Sequence, residues 1–326
     1  MPGGFQLEFL DTLADHLDLA GFELRALISV VLVAAVCGMV GAMVVGNRMA
    51  FFSDALAHCA FAGVALAVLM TYFVAVGKER EELQRWLVPI VMIGFGTTVG
   101  IGIAFVRENT GLSSDTVIGV FFAGAIGFGA MLLTALKGRR AIDPEQFLFG
   151  SPIFVKDIDL LYLLILFLLT ICFLLWRFNH FVLGSFNTSL ARSRRVALRT
   201  NNYLFIILLA FIVNLSISAV GVLLINAMLI VPAATASNFA RNLRQMFWWT
   251  FILSVIAGLG GLYISSHLYV HLGPGQPVQF GPSGTIITLS AVGFFISMLG
   301  VSVARRLHDR KMRAEVRDEP PLPRPA

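Results

Sequence analysis

Apolar residues gather along this chain in long blocks. No Asp, Glu, Lys or Arg occurs in residues 26–46, 87–106, 116–136 or 202–240. A helix rising about 1.5 Å per residue needs about 20 mostly apolar residues to cross a hydrocarbon core about 30 Å thick. The pattern therefore predicts nine apolar spans, at about 25–46, 52–76, 87–106, 115–136, 158–177, 203–220, 221–240, 246–268 and 285–304. The block 203–240 holds 38 residues without a formal charge. As one helix it would reach about 57 Å, so a tight turn around 218-SAVG-221 is expected to divide it. That boundary leaves a range of about eight to ten spans. A transmembrane barrel would show segments of about ten residues with alternating polarity, and the chain lacks them. The expected fold class is all-α, a polytopic helical membrane protein.

The flanks differ from this middle. Phe5, Phe9, Leu13 and Leu17 recur every four residues, with Glu8, Asp11, Asp15 and Asp18 mostly on other faces. This predicts an amphipathic interfacial helix. Residues 1–24 are expected to form an extracytoplasmic or interfacial segment. The acids there do not make the basic start of a cleavable signal, so the first spans are expected to direct insertion. Residues 25–304 form the membrane domain. From Arg305 onward the chain is basic and then Pro-rich (320-PPLPRPA-326), which predicts a disordered cytosolic tail over 305–326.

Composition sharpens the class and gives an orientation. The 326 residues are 57% hydrophobic and 13% charged, with mean hydropathy +0.83; soluble domains carry roughly 25% charge. Loops near Arg48, Arg107, 192-RSRR-195 and 241-RNLR-244, together with the tail, hold sixteen of the 24 basic residues. The positive-inside rule places them in the cytosol. The N-terminus is then outside and the C-terminus inside, with 137-KGRR-140 on the less basic side. The formal charge of +5 speaks of this topology and not of nucleic acid. Cys37, Cys59 and Cys172 stand singly in apolar segments and read as small buried hydrophobes. Small residues at four-residue spacing, Gly38–Ala42–Gly46, Gly96–Gly100 and Gly119–Ala123–Gly127, predict close helix approach.

Few residues offer chemistry. The chain has no GxxxxGK[ST] loop, no HExxH, no GxSxG and no cysteine pair at zinc-finger spacing. Nothing in it assembles into an enzyme, and by this route the chain is not expected to hydrolyse ATP itself. Asp54 and His58 lie four residues apart at the entrance of the second span, hence on one helix face. Ionisable groups in a span usually face a cavity or the bundle interior. A carboxylate oxygen with an imidazole nitrogen suits a divalent transition metal. Two ligands do not complete a site, and a bland alternative stands beside this one. Asp54, with Ser53, would also serve at a helix start, and His58 would also serve as a bond to a neighbouring helix. His267 and His271 repeat the spacing near the outer end of the eighth span, where they would bind a metal at the entrance or stand as solvated polar tips. Asn226 is polar and intramembrane, a further candidate for the metal pathway or a hydrogen bond to a neighbouring helix. Pro232 is expected to kink its helix.

Four stretches together resemble a known family. They are 48-RMAFFSDALAHCAFAGVALA-67, 115-DTVIGVFFAG-124, 147-FLFGS-151 and 220-VGVLLINAMLIVPAATASNFA-240. In order and spacing the chain is similar, over about 25–304, to the permease subunit of bacterial ABC importers for divalent metals, the zinc/manganese/iron type. The resemblance implies a permease architecture like that of the vitamin B12 importer, in the bacterial inner membrane. It implies a permease homodimer, cytosolic ATPase subunits that bind the ATP, and an extracytoplasmic metal-binding protein. It implies no permanent cofactor, with the divalent ion as cargo. The family's metal-pathway Asp and His fall on Asp54 and His58; a site shared across the dimer axis is one way to more ligands. The loop between the fifth and sixth spans corresponds to the segment that couples to the ATPase, here Ser185, Asn187, Leu190, Ala191 and Arg192. Asn187 stands where an acid is common, and Val196 near an expected glycine. Two rivals remain open: a gradient-driven secondary transporter, which usually carries further intramembrane acids and paired broken helices, and a scaffold subunit.

Overall fold

Helix caps and glycine turns divide the apolar blocks in the computed structural model, which describes residues 16, 20–136, 150–186, 198–270 and 278–318. Nine helices among the described residues are long and apolar enough to cross a membrane. They are α1 (Gly21–Gly46), α2 (Ala50–Val74), α3 (Lys78–Asn109), α4 (Ser114–Ala135), α5 (Asp157–Phe186), α6 (Leu198–Val220), α7 (Val222–Phe239), α8 (Leu243–His267) and α9 (Pro282–Asp318). A single 3₁₀ turn, Pro152–Phe154, precedes α5. Between α8 and α9, β1 (Tyr269–Val270) pairs antiparallel with β2 (Val278–Gln279).

Local sequence explains several ends. The Ser113 hydroxyl accepts from Thr116 N–H at the start of α4, and Asn242 accepts from Gln245 N–H at the start of α8. Both satisfy donors that a first helical turn leaves free. The three-residue turn between α1 and α2 holds Arg48 at φ 57°, the one non-glycine residue in the left-handed region among those described.

The expected division of 203–240 falls at Gly221, with φ 85°. Val220 and Val222 are fully buried, so this turn lies inside the protein. A Cβ on Gly150 would meet the Gly221 nitrogen at 2.5 Å, and Gly150 itself has φ +49°. Ser283 on α9 donates to the carbonyls of Gly150 or Val220 at 3.3 and 3.4 Å. Two glycines and a serine thus let three chain segments meet backbone to backbone.

α1 is the most enclosed helix, with 78% of its apolar window buried, and α9 the most open, with 11%. α1 packs on α7 and α8, and α2 on α3 and α4, while α6 bridges to α3. The predicted small-residue contacts hold at Gly38, whose Cβ would meet the Phe251 backbone at 2.8 Å. They hold also at Gly96 and Gly100, against Asn214 and Ile206. Gly119 and Gly127 meet nothing within 4 Å, so the α4 stripe packs against no other part of the described chain.

Two segment boundaries need correction. α1 begins at Gly21 and not at 25, with Glu23 accepting from Ala20 N–H. The tail is helical through Asp318 where disorder was expected from Arg305. Residues 305–318 contain no Pro or Gly, and they space Asp309 and Arg313, and Lys311 and Glu315, four residues apart, which favours helix. The prolines start only at Pro320. The predicted amphipathic helix over 5–20 and the final residues 319–326 lie outside the described residues.

Candidate metal-transfer site

The N-cap of α2 is Met49, which makes no side-chain cap. Asp54 therefore lies inside the helix, one turn beyond its start. Ser53 spends its hydroxyl on the Ala50 carbonyl. The helix-start reading of Asp54 and Ser53 does not hold.

The Nδ1 atom of His58 lies 3.0 Å from the main-chain oxygen of Asp54. A carbonyl oxygen only accepts, so Nδ1 carries the proton and donates it. In a neutral ring that donates there, Nε2 keeps the lone pair, the form in which imidazole binds a metal. Nδ1 also lies 3.6 Å from Asp54 Oδ1, which sets carboxylate and ring side by side. Phe122 on α4 meets the ring edge-on, with centroids 5.0 Å apart. The Asp54 side chain is 40% exposed and that of His58 26%. Both face open space, which a transferred ion would need.

The third member arrives from α7. Asn226 Nδ2 donates to Asp54 Oδ1 at 2.6 Å, across 172 positions of sequence. Asn226 is 8% exposed. Its Oδ1 is buried with no hydrogen-bond partner among the described residues. Spacing alone did not give this contact, since i,i+4 logic reaches only along one helix. Among the described residues, no three His, Cys, Asp or Glu side chains gather at one point.

His267 lies elsewhere. Its Nδ1 is beside the Tyr263 carbonyl and the Ser266 hydroxyl, at 3.1 and 2.9 Å, and its ring stacks on Tyr263. It is a solvated helix end, and the structure does not bring it to Asp54. His271, Asn187, Leu190, Ala191 and Arg192 lie outside the described residues, while Ser185 falls in the last turn of α5.

Nine helices long and apolar enough to cross a membrane, among the described residues, make this a multi-pass helical membrane protein. The profile of the ABC 3 transport family matches residues 20–301, and the chain belongs to that family. It is therefore the membrane subunit of an ABC transporter, in the bacterial inner membrane, working with separate ATPase and substrate-binding partners. The manganese import system permease protein ScaB of Streptococcus parasanguinis is 31% identical, over 89% of this chain and 93% of its own length. The high-affinity zinc uptake system membrane protein ZnuB of Haemophilus influenzae is 27% identical, over 76% of this chain and 90% of its own. In the structure of PsaBC from Streptococcus pneumoniae in complex with Fab, a chain 26% identical aligns with TM-score 0.69. It covers 88% of this chain and 95% of that one.

Proposed function

We propose that this chain is the pathway-forming subunit of an ATP-driven importer of a divalent transition metal, Mn²⁺ or Zn²⁺ and also Fe²⁺ by donor chemistry. The observation that carries the reading is the Asp54–His58 pair: one carboxylate and one lone-pair imidazole nitrogen on the same helix face, both open to an ion. Oxygen with nitrogen suits these metals and discriminates weakly among them. The names of the manganese and zinc permeases among its relatives agree.

The Mechanism follows from these parts. The ion arrives from an extracytoplasmic binding protein and exchanges part of its water shell for Asp54 and Nε2 of His58. Few protein ligands hold it, so it can leave again. ATP binding and hydrolysis on the partner subunits move the loop after Ser185, with Asn187, Leu190, Ala191 and Arg192 as the docking segment. The spans reorient and the ion passes to the cytosol. Two permease copies form the pathway. The open Gly119–Ala123–Gly127 stripe of α4, beside the Phe122 that holds His58, suits close contact with a second copy.

The test is uptake of radioactive Mn²⁺ or Zn²⁺ by the reconstituted complex. Asp54→Ala with His58→Ala should abolish ATP-dependent uptake while the ATPase still co-purifies. Uptake that persists in the double variant, or that an ion gradient drives without ATP, overturns the proposal.

A further inference from the structure

Asn226 has two amide ends, and the structure uses only one of them. Nδ2 donates to Asp54 Oδ1 at 2.6 Å. Oδ1 is removed from solvent and accepts from nothing among the described residues. A buried carbonyl left without a partner costs about 1–3 kcal/mol. A purely structural clamp on Asp54 has no use for that cost, because a hydroxyl at the same place would donate as well. The orphan oxygen belongs to the same amide that touches the candidate ligand carboxylate, so it is held beside the place where an ion would sit.

The donor inventory points the same way. Asp54 and His58 supply two ligands, and the described residues bring no third His, Cys, Asp or Glu to them. An amide carbonyl is a hard oxygen donor that such a count omits. The Asn terminal torsion is broad and roughly two-fold, and its nitrogen and oxygen are nearly the same size. A half-turn about that bond would place Oδ1 where Nδ2 now stands. Two oxygens that bind one small divalent cation side by side lie about 3 Å apart. The Asn226–Asp54 spacing therefore needs only slight opening to become a shared coordination edge.

We propose that Asn226 is a third ligand of the translocated cation, through its side-chain oxygen. The amide turns from donor to Asp54 in the metal-free state to co-ligand with Asp54 when the ion arrives. One chain then offers two oxygens and one nitrogen, drawn from α2 and α7. The inference rests on Asp54 and His58 being ligands. It adds selectivity to them, because an added hard oxygen favours Mn²⁺ over the more nitrogen- and sulfur-seeking Zn²⁺. It also ties α7 to the ion, so that ion arrival and departure alter a contact between α2 and α7.

The experiment uses the full chain purified with its ATPase, with Mn²⁺ and Zn²⁺ as the probes. Asn226→Leu keeps the shape and removes both amide ends. It should weaken Mn²⁺ binding on the order of tenfold or more, with a clearly smaller loss for Zn²⁺. In the unaltered protein, labelled with ¹³C at the asparagine side-chain carbonyls, bound Mn²⁺ should show an electron–nuclear coupling to one nearby ¹³C. Unchanged affinities, or equal losses for both metals without that coupling, would show that Asn226 only positions Asp54 and would overturn the inference. Should the leucine variant not fold, the presence or absence of the ¹³C coupling decides alone. Asp54→Ala separates the two claims. If it leaves Mn²⁺ and Zn²⁺ binding intact, the site itself is misassigned; if it abolishes both while Asn226→Leu is silent, only the third ligand falls.

Discussion

His58 donates its Nδ1–H to the main-chain carbonyl of Asp54, so the helix that presents the carboxylate also sets the tautomer of the imidazole. Two side chains oriented by one backbone turn need little else to stay in register. What remains is the tilt of the ring, and Phe122 meets it from α4. Phe122→Ala should therefore lower metal affinity without abolishing transport, by about tenfold, the low end for groups that orient ligands. Phe122→Leu should recover part of the loss by refilling the space. Titration of the purified transporter with Mn²⁺ checks this; a Phe122→Ala affinity equal to wild type would leave the ring held by its hydrogen bond alone.

Gly150 and Gly221 bring two distant segments into backbone contact. Gly150→Ala adds a Cβ that meets Gly221 at 2.5 Å and forces an L side chain to φ +49°. The left-handed conformation alone costs roughly 1–2 kcal/mol, and backbone on the other side cannot yield as a side chain would. The melting temperature of the detergent-purified chain should fall by several degrees. Gly119→Ala is the control: its Cβ meets nothing within 4 Å, so the same added methyl should not lower the single chain's stability, and helix propensity favours Ala there.

The sequence made the spans legible because charge is excluded from them. It made the Gly221 turn legible because 38 uncharged residues exceed one crossing. The Asp54–His58 pair was readable for the same local reason, since i,i+4 geometry needs no tertiary knowledge. What escaped were features set by other rules. α3 starts at Lys78, well before its apolar part, since a helix continues into water where its residues favour it. The helix through Asp318 was hidden by reading the basic tail together with its later prolines. Asn226 could be flagged as polar in a span, but its partner lies on another helix. No periodicity connects α7 to α2.

Arg25 and Asp157 were equally invisible as a pair. The Arg25 Nε–H donates to Asp157 Oδ1 at 2.6 Å, joining the first turns of α1 and α5, with side chains only 19% and 9% exposed. Removing one partner of a largely buried pair weakens the charge balance around the other, whereas replacing both partners with apolar groups is often neutral. Arg25→Met or Asp157→Leu alone should lower thermal stability strongly, and the double variant should regain much of it. A double variant that loses the sum of the single losses would show that the two residues act through separate contacts.

At the opposite end, Glu108 on α3 gathers two groups of α6: Arg199 at 2.7 Å and the Tyr203 hydroxyl at 3.2 Å. Arg199 is 64% exposed, and exposed ion pairs contribute little to stability. Position gives the cluster more weight than strength does. Arg199 is the second residue of α6, directly after the loop proposed to receive the ATPase stroke. Glu108 then ties the moving end of α6 to α3, and α3 packs on α2, which carries Asp54 and His58. Loosening this tie should let the ATPase turn over without moving the helices that face the ion. Glu108→Gln is therefore expected to leave metal affinity and melting temperature near wild type while lowering the number of ions imported per ATP. Parallel measurement of ATP hydrolysis and metal uptake in proteoliposomes decides it. An unchanged ratio would mean that the stroke reaches the pathway without passing through Glu108.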